Sequence, residues 1–184
     1  MKVVAVLGSP HPDGPSSTIA KEVIRGAQDA GHEVVVYNIN DMNFKGCQGC
    51  GYCKQHDADC IMEDDLKPYW KDLHECSALI LSAPNYASNV RGDMITFMNR
   101  HYCLFTIKDG KFTLKIHPGI KLIGIFSQGN QDPEAYMDHY KWFLGDFENR
   151  AMELQDILVH TGGMTPEEES AMRCRAYALG KGLG

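Results

Sequence analysis

The chain has 184 residues, of which 43% are hydrophobic and 23% charged, and this composition predicts one compact domain without a disordered arm. Its net charge of -6 argues against a nucleic-acid groove, which needs a basic cluster to displace counterions from phosphates, so we expect a small-molecule ligand. The apolar run in the N-terminal "MKVVAVLGSP" is too short for a secretion signal, and no stretch approaches the ~20 apolar residues of a membrane span. We therefore expect a cytoplasmic protein without a membrane partner.

Short aliphatic runs of strand length alternate with segments of helical spacing. The runs predict strands buried on both faces, and they read "KVVAVLG", "HEVVVYNI", "SALILSAP" and "KLIGIFSQG". Helical spacing predicts helices over Thr18 to Ala30, Leu66 to Cys76 and Met94 to Tyr102. The pair Asp109-Gly110 predicts a small hairpin before the fourth strand.

The C-terminal part carries a long amphipathic stretch and a well-marked last helix. The stretch runs from Ala135 to Leu158, and the last helix begins with Thr165 as N-cap and Pro166 in the first turn. A fifth strand is poorly marked, and "DILVHTGG" is the best candidate. Alternating strands and helices imply right-handed crossovers and a parallel sheet, so we predict a three-layer, doubly wound α/β fold with a single domain over residues 1–184.

The loop after the first strand, "GSPHPDGPSSTIA", is the first of three polar loops at the edge where such folds bind ligands. Its hydroxyl groups and the positive end of the following helix form a cradle for phosphate. The loop lacks the lysine of a Walker motif and is not a G-x-G-x-x-G fingerprint, so a phosphate monoester is the more natural guest. The alternative is an ordinary Ser/Pro-rich turn with a Ser or Thr N-cap.

The loops after the third and fourth strands, "APNYASNVRGD" and "SQGNQDP", offer an aromatic face, amide groups and free backbone N–H groups. A flat heteroaromatic ring fits such surroundings. A phosphate loop combined with two ring-binding loops describes a mononucleotide such as FMN.

At these motifs the chain resembles a known family. "GSPHPDGPSST" resembles the phosphate loop of the flavodoxin-like NADPH-dependent FMN reductases, and "SAPNYASNVRGDMITFMNR" is similar to their isoalloxazine loop. "CQGCGYCKQHDADCIMEDDL" resembles the compact cysteine motif of the iron-sulfur flavoprotein branch, and the likeness extends from residue 1 to about residue 130. Two positions depart from the family pattern, Pro15 and His11, where Asn and a basic residue are common.

The resemblance implies a set of FMN contacts. The phosphate contacts would be Ser9, Ser16, Ser17 and Thr18, with His11 in the same loop. The ring contacts would be Pro84, Asn85, Tyr86, Asn89 and Ser127, with Ala87 and Gly129 in the same loops.

The segment 47–60 holds Cys47, Cys50, Cys53 and Cys60. Seven cysteines is an odd number, and a reducing cytoplasm disfavours disulfides, so a disulfide framework is the weakest interpretation. The thiols match the ligand count of a [4Fe-4S] cluster, which the resemblance implies. A zinc site, completed by Cys60 or His56, and reduced thiols without metal remain open.

The remaining polar and aromatic candidates have structural interpretations. Asp64 and Asp65 are expected to cap the helix beginning near Leu66, and Arg91 and Arg100 to form ordinary surface ion pairs. The histidines show no spacing that suggests a joint site. Core thiols are expected at Cys76, Cys103 and Cys174, and a core or subunit interface at Tyr136, Tyr140, Trp142, Phe143 and Phe147.

These features predict an FMN-dependent oxidoreductase that moves electrons from NAD(P)H through bound FMN to a small acceptor, without a catalytic side chain. The alternative is an iron-sulfur flavoprotein that serves as an electron-transfer module for a ferredoxin-like partner. A third interpretation is a metal-binding sensor without flavin. A homodimer or homotetramer is expected.

Overall fold

The computed structural model describes residues 1–184 and contains eight strands and six α-helices. The strands are β1 Lys2–Leu7, β2 Glu33–Asn38, β3 Cys76–Tyr86, β4 Asn89–Val90, β5 Phe105–Lys108, β6 Lys111–Leu114, β7 Ile120–Ser127 and β8 Met152–His160. The helices are α1 Pro15–Asp29, α2 Tyr52–Gln55, α3 Lys67–Glu75, α4 Gly92–Arg100, α5 Met137–Glu148 and α6 Pro166–Lys181. Short 3-10 turns follow β2 and α4, over Ile39–Asp41 and His101–Leu104.

The main sheet has the parallel order β2-β1-β3-β7-β8, and the short β4 pairs antiparallel with the end of β3. This is the flavodoxin-like order, in which the chain reverses direction across the sheet between β1 and β3. The fold class predicted from the alternating pattern is therefore confirmed. The carboxyl ends of β1, β3 and β7 lie side by side, since Leu7 pairs with Ser82 and Pro84 pairs with Ser127.

Two hydrophobic clusters cover opposite faces of the sheet. Val4 and Val6 of β1 belong to the larger cluster with α3, α4 and α5, whereas Val3 and Ala5 belong to the smaller cluster with α1 and α6. Successive strand residues point to opposite faces, so continuous aliphatic runs are what a sheet covered on both sides requires. β2 is one exception, because it is an edge strand and its Val36 is 47% exposed.

The amphipathic stretch from Ala135 to Leu158 is helical only over α5, Met137–Glu148. α5 ends there, Ala151 has a positive φ of 58°, and the chain continues as β8 from Met152. β8 is the second edge of the sheet and is partly exposed, so its polar residues extend the amphipathic pattern of α5 and hide the strand. The fifth strand is thus real and begins four residues before the predicted "DILVHTGG".

The predicted hairpin and the predicted N-cap of the last helix are both confirmed. Asp109 and Gly110, with φ of 51° and 74°, form the turn between β5 and β6. Thr165 and Glu168 form a capping box at the start of α6. The prediction that Cys76 lies in a helix is wrong, because it opens β3.

Helices α1 and α6 touch backbone to backbone through Gly26 and Gly180. A Cβ atom on Gly26 would lie 2.1 Å from the Tyr177 carbonyl oxygen, and one on Gly180 would lie 1.9 Å from that of Val23. Only glycine permits this approach. None of the helices combines the length and apolarity that crossing a membrane requires.

Candidate functional site

A cavity of about 300 Å³ lies at the carboxyl edge of the sheet, where the loops after β1, β3 and β7 meet. Of the candidate residues, the structure brings eight to its wall: Ser9, His11, Ser16, Pro84, Asn85, Tyr86, Ser127 and Gly129. The other lining residues are Gly14, Pro15, Gln128, His160 and Gly162. The strand register explains this meeting, because parallel strands deliver their following loops to one edge.

The loop before α1 is folded around the carbonyl group of His11. This oxygen accepts the Ser17 hydroxyl at 2.8 Å, the Gly14 amide at 3.0 Å and the Ser9 hydroxyl at 3.1 Å. Two of the predicted phosphate ligands, Ser9 and Ser17, therefore use their hydroxyl groups to shape the loop. They remain predictions as ligands.

Ser16 differs from its neighbours, since its hydroxyl is buried and has no hydrogen-bond partner. Within α1 the first backbone amide with an acceptor is that of Thr18, which donates to the Gly14 carbonyl at 2.9 Å. The amides of Ser16 and Ser17 precede it and lie in the helix turn that has no intrahelical acceptors. A buried hydroxyl without a partner beside unbonded amides and the positive end of a 15-residue helix is an arrangement suited to an anion.

Thr18 does not line this cavity. Its hydroxyl donates to the Pro15 carbonyl at 3.0 Å, and the residue faces a separate hollow of about 210 Å³ with Asp13, His160 and Glu169. The sequence places Thr18 one residue after Ser17, but the helical turn carries its side chain around to the outside of α1.

The loop after β3, which was predicted to contact the flavin ring, is a tight hairpin between β3 and β4. Ala87 and Ser88 have positive φ values of 52° and 64°, a conformation that costs non-glycine residues energy. Ala87 and Asn89 lie beyond the cavity wall, and the Asn89 side chain accepts the Val90 amide at 2.8 Å. Tyr86 stands 47% exposed at the cavity mouth and presents an aromatic ring there.

A buried tyrosine outside the predicted loops joins two of them. The Tyr140 hydroxyl on α5 donates to Gln128 Oε1 at 2.8 Å and accepts from Asn85 Nδ2 at 3.2 Å. Gln128 Nε2 in turn donates to the Asp132 carbonyl at 2.6 Å. Burial raises the pKa of Tyr140 to about 12, so it remains protonated at neutral pH.

The sequence analysis missed Gln128, His160 and Gly162 as lining residues. Gln128 lies in the loop "SQGNQDP", directly after Ser127. His160 ends β8, and a correct strand assignment would have placed it at the same edge as Ser127, with which it pairs.

The four cysteines of segment 47–60 line a second, narrow cavity beside Arg100, the last residue of α4, about 12 Å along the helix axis from its first residue, Gly92. We call it the cysteine pocket; its lining residues are Cys47, Gln48, Gly49, Cys50, Gly51, Cys53, Cys60, Ile61, Met62, Arg100, Tyr102 and Cys103. No three His, Cys, Asp or Glu side chains converge on a single point. Four thiols around one cavity are nevertheless the donor set of an iron-sulfur cluster, whose cysteine ligands bind different irons.

Two lysines tie this loop to the β5–β6 hairpin. Lys115, directly after β6, donates through Nζ to the Cys53 and Ala58 carbonyls at 3.2 and 2.5 Å. Lys54 Nζ donates to the carbonyl of Phe105, the first residue of β5, and to that of Tyr102 in the preceding 3-10 turn at 2.5 Å. Burial raises the pKa of the Cys53 thiol, while the positive charges of Lys54 and Lys115 act in the opposite direction.

Arg100 is not the surface residue that the sequence suggested, because only 1% of it is exposed. Its guanidinium donates to Asp64 Oδ2 and, at 2.9 Å, to the Lys45 carbonyl, while its Nε has no partner. Burial lowers the pKa of Arg100, but the hydrogen bond with Asp64 and the nearby Cys60 together raise it by more, so the net shift of the pKa is upward. Asp64 also accepts the Leu66 amide at 3.2 Å, and Asp65 accepts the Asn43 amide at 2.5 Å. Neither carboxylate bonds an amide of α3, so the prediction that they cap this helix is wrong.

The three other cysteines differ in position. Cys76 and Cys103 are buried as predicted, but Cys103 lines the cysteine pocket, and burial raises the pKa of its thiol to about 12. The prediction of a core thiol is wrong for Cys174, which is exposed on α6. Its side chain lies on the solvent side of a helix that packs on α1 through small residues.

Comparison with known proteins gives one family. Residues 1–129 match the family described as NADPH-dependent FMN reductase. An iron-sulfur flavoprotein of Archaeoglobus fulgidus is 33% identical over 100 residues, which cover 54% of this chain and 45% of that protein. The chain thus spans about half the length of the first curated relatives it matches.

Two further proteins match over nearly the whole chain. An iron-sulfur flavoprotein of Methanosarcina thermophila is 24% identical over 180 residues, which cover 94% of this chain and 87% of that protein. The solved structure of an NAD(P)H:quinone oxidoreductase from Methanothermobacter marburgensis superposes with a TM-score of 0.73 at 18% identity, covering 100% of this chain and 96% of the other. The latter likeness shows the shared fold.

Proposed function

The chain belongs to the NADPH-dependent FMN reductase family, and we propose that it is an FMN-dependent oxidoreductase formed by a single domain over residues 1–184. It takes electrons from NAD(P)H and passes them through bound FMN to a small acceptor, such as a quinone or a free flavin. FMN supplies the redox chemistry when bound, by accepting a hydride or single electrons. The protein supplies position and electrostatics.

The observation that carries this proposal is the unpartnered hydroxyl of Ser16 in the cavity at the carboxyl edge of the sheet. A buried hydroxyl without a partner costs free energy unless a ligand satisfies it. Together with the amides at the start of α1, Ser16 would bind the FMN phosphate. Pro84, Asn85, Tyr86, Ser127 and Gly129 would then border the ring, and the Tyr140 network would hold Asn85 in position.

NADPH oxidation measured without oxygen tests the activity. Protein loaded with FMN should oxidise NADPH in the presence of a quinone, and the rate should saturate with both substrates. Protein stripped of FMN should regain the activity only when FMN is returned, with quenching of flavin fluorescence and a thermal shift that grows with ligand concentration. Absence of both binding signals at ~1 mM FMN would contradict the proposal.

A second candidate function is favoured by the cysteine pocket. Four cysteines from one short segment surround a single cavity, and the relatives that match are named iron-sulfur flavoproteins. We infer that Cys47, Cys50, Cys53 and Cys60 hold a [4Fe-4S] cluster and that the protein then exchanges single electrons with a ferredoxin-like partner. Such a site requires reduced thiols, which agrees with the cytoplasmic location expected from the sequence.

Visible absorption distinguishes the two functions. Protein prepared without oxygen should show, besides the flavin bands, a broad absorption that dithionite bleaches, if the cluster is present. Flavin bands alone after reconstitution with iron and sulfide would favour the reductase without a cluster. The same sample in size-exclusion chromatography with light scattering tests the proposed homodimer or homotetramer, for which the exposed Trp142 on α5 is an available contact.

A further inference from the structure

The cysteine pocket contains one strongly basic side chain, Arg100, at the C-terminal end of α4. Arg100 is nine-tenths or more buried, and its Nε–H is fully buried without a hydrogen-bond partner. The Asp64 carboxylate and the Lys45 carbonyl satisfy the other end of the guanidinium. One buried donor therefore remains available on the residue that borders the thiols.

A buried cation with an unused donor indicates an anionic ligand nearby, because leaving such a donor unsatisfied is costly. Four thiolates bring four negative charges, and an iron-sulfur core offsets only part of them. Asp64 pairs with Arg100, so the pair is neutral as a whole, and removing either partner leaves the other charge unbalanced near the thiols. Net charge and hydrogen bonds to sulfur are the terms that set the potential of such clusters.

We propose that Arg100 is the charge-balancing residue of the cysteine pocket, which stabilises a cysteine-bound metal cluster and raises its reduction potential. This inference rests on the second candidate function. Adding one electron to the site increases its negative charge by one unit, and no bond is made or broken. A fixed cation beside the thiolates stabilises the reduced form more than the oxidised form, so its removal makes reduction harder.

The competing explanation is a purely structural ion pair. Arg100 links the start of the cysteine segment, through Lys45, to the beginning of α3, through Asp64. If that link were the whole role, removing either partner would loosen the loop in the same way. Charge balance predicts opposite electrostatic effects, because Arg100→Gln removes a positive charge and Asp64→Asn removes a negative one.

The test is a potentiometric titration of anaerobically reconstituted protein with its FMN bound, followed by the visible and electron-spin signals of the cluster. The variants are Arg100→Gln, Arg100→Lys and Asp64→Asn, and Asn at position 64 keeps a side chain able to accept the Leu66 amide. We expect the midpoint potential to fall in Arg100→Gln, to rise in Asp64→Asn and to stay near the unmodified value in Arg100→Lys. Iron affinity in Arg100→Gln should fall about 10-fold to 100-fold, as for other residues that support metal ligands.

Shifts of the same sign in Arg100→Gln and Asp64→Asn, or no shift in either, would overturn the inference and leave the cluster itself standing. If Arg100→Gln fails to fold, judged by loss of FMN binding, the sign of the shift in Asp64→Asn decides alone. Unmodified protein that takes up neither iron nor sulfide would overturn the second candidate function and this inference with it.

Discussion

The Tyr140 hydroxyl donates to Gln128 Oε1 at 2.8 Å and accepts from Asn85 Nδ2 at 3.2 Å, so one side chain of α5 connects two loops of the flavin cavity. The Tyr140 ring stacks on Phe126 with centroids 4.2 Å apart, which fixes the hydroxyl in place. The position of Asn85 and Gln128 therefore depends on a residue that does not line the cavity.

Tyr140→Phe removes only this hydroxyl, and we expect FMN binding to weaken by about 1 kcal/mol, roughly fivefold. The reason is that Gln128 Oε1 loses its donor and the two loops lose their common anchor. Fluorescence titration with FMN measures the effect. Tyr136→Phe, at the N-cap of the same helix, is the matched control, and equal losses in both variants would remove the special role of Tyr140.

A second prediction concerns the phosphate. FMN should bind more tightly than riboflavin, because charge-assisted hydrogen bonds to the phosphate are lost with riboflavin. Ser16→Asp should abolish most of this difference, since it adds negative charge where the phosphate would lie. Thr18→Val should preserve the difference, because the Thr18 hydroxyl is used by the Pro15 carbonyl and faces another hollow. Equal affinities of the unmodified protein for the two flavins would contradict the assignment of the loop.

A third prediction uses two glycines that face each other at the cavity wall. A Cβ atom on Gly162 would lie 2.1 Å from the Gly129 carbonyl oxygen, whereas one on Gly129 would meet no atom within 4 Å. Gly162→Ala should thus destabilise the protein by about 1–3 kcal/mol, measured by urea unfolding without FMN. Gly129→Ala should unfold at the same urea concentration as the unmodified protein and weaken only FMN binding, if the ring passes over Gly129. A loss of stability in Gly129→Ala would argue against this geometry.

Much of the fold follows from local sequence signals. The central strands β1, β3 and β7 are continuous aliphatic runs because helices cover both of their faces, and such runs are hard to mistake. β8 was partly hidden, because an exposed edge strand carries polar residues at positions that also suit an amphipathic helix. The alternation of strands and helices also correctly predicted that the three cavity loops lie at one edge of the sheet.

Side-chain direction was beyond the reach of the sequence. The adjacent Ser16, Ser17 and Thr18 all carry hydroxyls, yet one has no partner, one bonds the loop and one faces outward. The sequence also did not reveal that Arg100 is buried, because its partner Asp64 lies 36 positions away. Tertiary contacts of this kind decide which member of a motif is free to bind.

A fourth prediction follows from His101, which is buried among aromatic rings. Its Nδ1 lies 3.1 Å from the Phe97 carbonyl oxygen and carries the hydrogen, which leaves Nε2 to accept the Tyr69 hydroxyl at 2.8 Å. Burial lowers the pKa of His101 to about 3, so the neutral form is the native one.

Between pH ~6.5 and ~3 the unfolded chain therefore binds one proton at this residue that the folded protein does not, and stability falls as the pH falls. The contribution to the slope is about 1.4 kcal/mol per pH unit. His101→Gln should reduce the pH dependence of the unfolding free energy by this amount, and the exposed His117→Gln should not. Identical slopes in His101→Gln and the unmodified protein would show that the pKa of His101 is the same in the folded and unfolded states.

The last prediction concerns the metal content of the cysteine pocket. Anaerobically reconstituted protein should contain about four irons and four acid-labile sulfides per chain if Cys47, Cys50, Cys53 and Cys60 bind a cubane cluster. Cys60→Ala should lower iron and sulfide together, whereas Cys174→Ala, on the exposed face of α6, and Cys76→Ala, at the start of β3, should not. Cys103→Ala is not a neutral control, because the Cys103 thiol lines the same pocket. Cys76 is also buried but lies outside the pocket, so comparing the two variants separates the loss of a pocket thiol from the loss of a buried thiol in general. An equal fall of the iron content in Cys174→Ala and Cys60→Ala would indicate stray metal on reactive thiols. Absence of iron from the unmodified protein with FMN still bound would favour a flavin reductase without a cluster.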